Sequence, residues 1–439
     1  QVRRIQLLQL RQNGGPISEI YGQLNAYNGG NIFIANPAGV QIGNSAQINV
    51  GSLYITNKEF DVEEIKKKLS AGSTTKEITD YIAGIAPNTN PAAELMSLGS
   101  ITSATNVTFD GGRIVLDVDR FFDRRGRRRQ VQMSDEEIAQ TLNIRTNDKD
   151  NVVLGYTGYK DGEFDANQQK TFSNITVVNE KNEVIEGENS VRGYMWVEDL
   201  DQLQKIAEND NLDGWYALRN SIDANYTASG SYDSGLDNGT TGLGFKPIGE
   251  YNANAWGSAD PYEDAFKGRF DGLGYSIFGL NIRRDSEDGV GLFGAVHGDN
   301  AAVRNLILNG GSIAGGDNVG SVAGRVAGGA RIEKITNTAD VSGNENVGGI
   351  AGALESKTDG VTSVTDLVNI GKVSGHKYVG GIIGSATGIK LGGTVYNLGG
   401  VAGVADVSGA DSLNVGGLIG IAQKSEIGDG KSQIYNRAN

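Results

Sequence analysis

Three aspartates, Asp110, Asp117 and Asp119, are the side chains best placed to do chemistry. A polysaccharide-cleaving enzyme works with two carboxyl groups about 5 to 9 Å apart across a sugar, and Asp117 and Asp119 share one face of a strand at period two. Alternating acids on an exposed strand face give the same pattern without chemistry. Arg124-Arg-Gly-Arg-Arg-Arg129 places five arginines in six residues. A proteolytic cleavage site and an anionic-glycan contact are its functional readings; a solvated loop near Asp117, Asp119 and Asp123 is the simpler one. The two histidines, His297 and His376, lie far apart with no HExxH around them and read as surface residues in loops. No cysteine is present, which excludes a disulfide, a thiol nucleophile and a cysteine-held metal. There is no P-loop, EF-hand spacing or glycine–aspartate nonapeptide. No catalytic residue, metal ligand or cofactor site is assigned, and the expectation is a protein that is not an enzyme.

Composition narrows the partners. The 439 residues carry a formal charge of −14, which argues against nucleic acid. The acid excess lies between residues 191 and 289, and the chain beyond 290 is nearly neutral. No run of about 18 apolar residues occurs, so no membrane span is expected. Glycine, at 65 residues, stands at about twice its average share. Proline numbers only 6, and glycine does not recur every third residue, which excludes collagen. Such an excess needs a structural reason.

An internal repeat supplies one. Val290-Gly-Leu-Phe-Gly294, Val319-Gly-Ser-Val-Ala-Gly324, Val347-Gly-Gly-Ile-Ala-Gly352, Val379-Gly-Gly-Ile-Ile-Gly384 and Val415-Gly-Gly-Leu-Ile-Gly420 start 29, 28, 32 and 36 residues apart. The paired glycines are Gly291 and Gly294, Gly320 and Gly324, Gly348 and Gly352, Gly380 and Gly384, and Gly416 and Gly420. An apolar-x-Asn element keeps step at Asn305, Asn337, Asn369, Asn397 and Asn436. The apolar segments are too short to bury a face alone, so they must stack as strands of a solenoid. Glycines at fixed positions suit corners with positive φ or close approach of neighbouring coils. If buried, the asparagines can satisfy one another as a ladder. The uneven spacing reads as loops of varying length on one side.

Elements before the repeats also read mostly as strands: 17–26, 31–35, 46–50, 101–108, 113–117, 152–156 and 172–178. Helical patterns cover 62–69 and 76–85, a capped turn follows Ser134 with Glu137, and Val197–Asn209 reads as an amphipathic helix. Three regions follow: 1–190 with a helical insertion at about 60–95, a helix-led connection over 191–289, and the repeats over 290–439.

Gly30-Asn-Ile-Phe-Ile-Ala-Asn-Pro-Ala-Gly-Val-Gln-Ile-Gly43, with Ala46-Gln-Ile-Asn-Val50 after it, resembles the secretion domain of two-partner-secretion exoproteins of the filamentous-haemagglutinin type. In that family an Asn-Pro-Asn-Gly turn joins strands of a right-handed parallel β-helix. Asn36, Pro37 and Gly39 fit it, while Ala38 departs from the second asparagine. From Val197 into the repeats the chain is similar to the GLUG-repeat regions of bacterial surface adhesins.

The resemblance implies an all-β, right-handed parallel β-helix (solenoid) with short helical excursions. It implies export from a Gram-negative bacterium through a partner outer-membrane barrel transporter that recognises the Asn36–Gly39 turn. The location would be extracellular or at the outer-membrane surface, and the ligand a host or bacterial surface glycan or protein. The family's signal peptide and first capping strands do not appear in this sequence. The repeats are expected to continue beyond Asn439. The alternatives are a β-helical polysaccharide-degrading enzyme, or the stalk of a contact-dependent toxin or secreted peptidase.

Overall fold

The computed structural model describes residues 5–9, 16–26, 30–85, 93–125, 129–160, 163–185, 190–208, 211–252, 260–356, 361–404, 413–428 and 430–437. Strands dominate them, and the long ladders are parallel. Two compact units are present, one of residues 1–157 and 169–194, the other of residues 158–168 and 195–439.

In the first unit the chain winds through three walls of parallel strands. One wall stacks Ile5–Gln9, Asn31–Ala35, residues 52–56, residues 106–110 and Leu142–Arg145. A second stacks Ser18–Ile20, Val40–Ile42, Glu94–Ser97, Arg113–Asp117 and Val152–Tyr156. A third stacks Gln23–Asn25 with residues 47–49, 100–103 and 121–122. Alternation in sequence becomes alternation across each wall. On the first wall Ile34, Ile55, Phe109 and Ile144 pair in register, all fully buried, so each coil covers the apolar face of the next.

Two helices leave the first wall, α1 (Val62–Ser70) and α2 (Thr75–Ala83), within a residue or two of the sequence reading. Helix α2 opens with a capping box in which Thr74 and Glu77 satisfy each other's backbone donors. The proline-bearing stretch 86–92 lies outside the described residues. Helix α3 (Asp135–Thr141) carries the second capping box, Ser134 with Glu137. Of the arginine run, Phe121–Arg125 and Arg129–Gln132 pair as an antiparallel hairpin; residues 126–128, and the side chains of the run, lie outside the described residues.

In the second unit the ladder begins before the repeats. Trp215–Leu218 pairs with Arg269–Asp271, which pairs with residues 302–304. Helix α4 spans only Leu200–Lys205, shorter than expected, because Tyr194–Val197 is a strand and Asp199 caps the helix. Each later coil uses four strands: Arg331–Asn337, Asp340–Ser342, Glu345–Gly348 and Ala351–Glu355 make one, and their counterparts stack in register through Gln433–Asn436. The largest length differences between repeats fall between Glu355 and Ser363 and between Gly403 and Leu413, stretches that lie in large part outside the described residues.

The repeat asparagines form the expected ladder, buried at Asn337, Asn369 and Asn397 and exposed at Asn436. Asn337 Nδ2 donates to Asn369 Oδ1 (2.8 Å), Asn369 to Asn397 (3.0 Å) and Asn397 to Asn436 (3.0 Å). Each of the first three also donates to the carbonyl two residues on, at Ala339, Gly371 and Gly399. Asn305 does not belong to it, contrary to the sequence reading. The residue in register with Asn337 is Leu308, whereas Asn305 stands opposite the Lys334 position with φ 53°. Its amide instead donates to Asp271 Oδ1 at 2.9 Å. A shared apolar-x-Asn string could not distinguish two positions three residues apart on one strand.

Of the two reasons open for the repeat glycines, positive φ and close approach, the structure selects the second. None of the ten has positive φ. Left-handed corners are held largely by other residues, including Asn318, Asn346, Tyr378 and Asn414 in successive coils. The glycines are needed for close approach: a Cβ at Gly352, Gly384 or Gly420 would collide with the backbone of Asn318, Asn346 or Tyr378 in the preceding coil. Such contact leaves no room for a methyl group.

Candidate functional site

The Asn36–Gly39 turn is a rigid corner. Gly39 N–H donates to Asn36 O (2.9 Å), and Gly39 has φ 111°, which glycine adopts without strain. Asn36 is 2% exposed; its Oδ1 accepts from Ala38 N–H, and its Nδ2 donates to Pro16 O and Ser18 Oγ. Pro37 presets φ at the second position. Asparagine's short amide satisfies both strands that meet there, leaving Pro37 and Ala38 partly accessible.

The strand leading into this corner, Asn31–Ala35, borders a cleft of about 400 Å³ between the helical excursion and the outer face of the first wall. The wall contributes side chains at period two: Asn31 and Phe33, Ser52 and Tyr54, Asn106 and Thr108, Asn143 and Arg145. Their strand neighbours Ile32, Leu53, Val107 and Leu142 point inward and are buried, which fixes the polar phase outward. Phe33 and Tyr54 stack at 5.0 Å, and Ile65, Ile78 and Ile82 of the helices pack on them. The helices thus make the second wall of the cleft, with Lys76 and Asp80 paired at its rim (2.5 Å).

A polar row runs along the cleft from coil to coil. Ser52 Oγ donates to Asn31 Oδ1 (2.6 Å), Asn143 Nδ2 to Asn106 Oδ1 (3.0 Å) and Thr108 Oγ1 to Asn106 Oδ1 (3.0 Å). Asn31 Nδ2, Asn106 Nδ2 and Asn143 Oδ1 have no partner among the described residues. The row therefore offers two amide donors and one amide acceptor to a ligand.

Beneath it lies a buried charge cluster. Lys58 Nζ stands 2.8 Å from Asp110 Oδ1 and donates to Ala83 O (2.9 Å) and Ile82 O (3.4 Å) at the end of α2. Tyr54 Oη donates to Asp110 Oδ2 (2.5 Å), and Arg145 Nε lies 3.5 Å from the same oxygen. Lys58 and Asp110 are each 1% exposed. Burial holds the Lys58 ammonium below its ordinary pKa and the Asp110 carboxyl above its own. Burial, reinforced by Asp110, also raises the Tyr54 phenol. The cluster fastens the helices to the wall.

The other carboxylates do not form an exposed strand face. Asp110 is in the cluster just described. Asp117 is fully buried and caps a turn, accepting from Asp119 N–H (3.2 Å), while Asp119 Oδ2 accepts from Thr157 N–H (2.6 Å). The strand ends at Asp117, so period-two logic does not extend to Asp119. His297 lies within a strand rather than a loop, its ring stacked on Tyr262 at 4.4 Å. His376, between two strands, has Nδ1 3.1 Å from Val404 O. Among the described residues no group of three histidine, cysteine or acidic side chains could hold a metal ion.

Sequence reasoning misses the cleft, although the residues carry a signal for it. Asn-Ile-Phe-Ile-Ala, Ser-Leu-Tyr-Ile-Thr and Asn-Val-Thr-Phe-Asp share one alternation, with amides, hydroxyls and aromatics on the polar phase. Their alignment side by side required the register.

No family model matches this chain. Over 147 residues, 33% of its length, it is 33% identical to halomucin of Haloquadratum walsbyi, and it spans about 1% of that protein. A solved structure described as a candidate immunoglobulin A1 protease of Bacteroides ovatus aligns with 56% of this chain and 78% of its own, at 16% identity and a TM-score of 0.32.

Proposed function

We propose that these residues form the secretion-domain and stalk portion of a secreted or cell-surface exoprotein of the adhesin kind, made by a Gram-negative bacterium. Export runs through a partner outer-membrane barrel transporter, with the Asn36–Gly39 corner as part of the recognised surface. The solenoid is read as a right-handed β-helix, with its later coils of the GLUG type. Its role is to present a binding face to a surface glycan or protein rather than to catalyse a reaction.

The stacking of parallel coils in both units carries this reading, because stacked coils offer a long lateral surface for binding. Similarity to halomucin over 33% of this chain is taken as support for a secreted or surface setting. Among the described residues no helix is long and apolar enough to cross a membrane.

The test is to express the polypeptide carrying these residues with and without an outer-membrane barrel transporter of the two-partner type, then measure protease accessibility on intact cells and attachment to host cells. Transporter-dependent exposure with attachment is expected. Protein retained inside the cell in both strains overturns the reading.

A further inference from the structure

We propose that the cleft between the helical excursion and the first wall binds a neutral oligosaccharide lying along the stack. This rests on the surface-protein reading above and names the ligand class of the candidate site.

The first argument is geometric. Asn31, Ser52 and Asn106 stand in register on successive strands, and Asn143, opposite Thr108 on the next, reaches Asn106 by a hydrogen bond. The row therefore repeats at the inter-strand spacing, about 4.8 Å, comparable with the length of one pyranose ring. A chain of such rings can meet one polar side chain per ring. The 400 Å³ volume is within the range of ordinary small-ligand sites, about 300–1,000 Å³.

Chemistry gives the second argument. Hydroxyl groups both donate and accept, and the row offers both functions through Asn31 Nδ2, Asn106 Nδ2 and Asn143 Oδ1. Phe33, Tyr54, Ile65 and Ile78, each more than nine-tenths buried in the packing of helices on wall, contribute only their edges to the remainder, a narrow apolar floor for the C–H groups of sugar rings. Charge supplies the third. Lys76 is paired with Asp80, and Arg145 is held by Asp110 and by Asn182 Oδ1 (2.7 Å). The lining presents no uncompensated cation, so a sulfated or sialylated chain has no counter-charge, whereas a neutral one leaves no charge desolvated without a partner.

Isothermal titration and saturation-transfer NMR on the full 439-residue chain would test this. The probes are neutral gluco-, manno- and galacto-configured tetrasaccharides with their sulfated and sialylated counterparts. At least one neutral probe should bind, and the charged counterparts should bind more weakly. Asn106→Ala and Asn143→Leu, both at exposed positions, should each weaken binding about tenfold, as expected for a lost hydrogen bond, with an unchanged melting temperature. No binding by any neutral probe overturns the proposal, as does a preference for charged probes or binding that both variants leave intact. Attachment of expressing cells, measured in parallel, separates the two readings. If attachment persists while no neutral probe binds, this proposal fails and the adhesin reading stands; if transporter-dependent exposure is itself absent, the adhesin reading fails on its own assay.

Discussion

The coils of the first unit and those of the repeat region both stack parallel strands, yet different chemistry holds them. In the repeats, one neutral interaction recurs: an asparagine ladder lies inside the stack, and glycines let neighbouring coils approach closely. In the first unit neighbouring coils share an alternation of side chains rather than one recurring motif. A single buried cluster of Lys58, Asp110, Tyr54 and Arg145 fastens a helical excursion to one wall. Repetition of small neutral contacts gives uniform coils, with stability spread along the stack. A one-off ionic clamp concentrates stability at one place and holds open a concave surface that a uniform coil lacks.

Breaking the clamp should produce the largest effect. Lys58→Ala leaves Asp110 buried beside Tyr54 with its principal countercharge gone and should cost about 3–5 kcal/mol in urea unfolding. Replacing both partners, Lys58→Met with Asp110→Leu, should recover much of that loss, since desolvation offsets most of the pair's attraction. A loss below that of the repeat substitutions would undo the contrast.

Gly352→Ala should cost about 1–3 kcal/mol, because its methyl group meets the Asn318 backbone. Gly400→Ala, with open space at the same atom, should leave the melting temperature within error. Equal effects at the two sites would remove close approach as the reason for the repeat glycines.

Asn369→Ala should cost about 1–3 kcal/mol by stranding Gly371 O and a donor of Asn337. Asn436→Ala should stay near ~0.5 kcal/mol or less, as for exposed positions. Asn397 keeps its bonds to Gly399 O and Gly417 O when that partner is lost. Chemical denaturation of the two variants measures the gradient along the ladder.

The smallest effect concerns α2, the far wall of the cleft. The Thr74 backbone N–H and then its hydroxyl donate to Glu77 and lower its pKa. A lowered carboxyl contributes stability above its unfolded value, about 4.3, and loses it as pH falls through the lower folded value. Protection of the Glu77 and Ile78 amides, measured against their intrinsic exchange rates at each pH, should fall on acidification through that window. Glu77→Gln should remove most of the pH dependence.

Much of this contrast was legible in the residues. The repeat showed itself by spacing, and its asparagines stacked as buried neutrals require. The two helices near 60–85 were marked by period and by the Thr74–Glu77 box. Asn305 was misplaced because a three-letter string carries no register. Asp117 is buried rather than on an exposed face, since alternation alone does not say which phase faces inward, nor where the strand turns.

By itself, the sequence determined that short apolar strands must stack, that glycine recurs at fixed points of each coil, and that helices interrupt the first region. These follow from local periodicity and from strands too short to bury themselves. Only the tertiary structure decided which residues become neighbours. Lys58 and Asp110 lie 52 residues apart in the chain, and Asn31, Ser52, Asn106 and Asn143 come from four coils. Register between distant strands sets those meetings, and a slip of one residue would send the same amides to the opposite face.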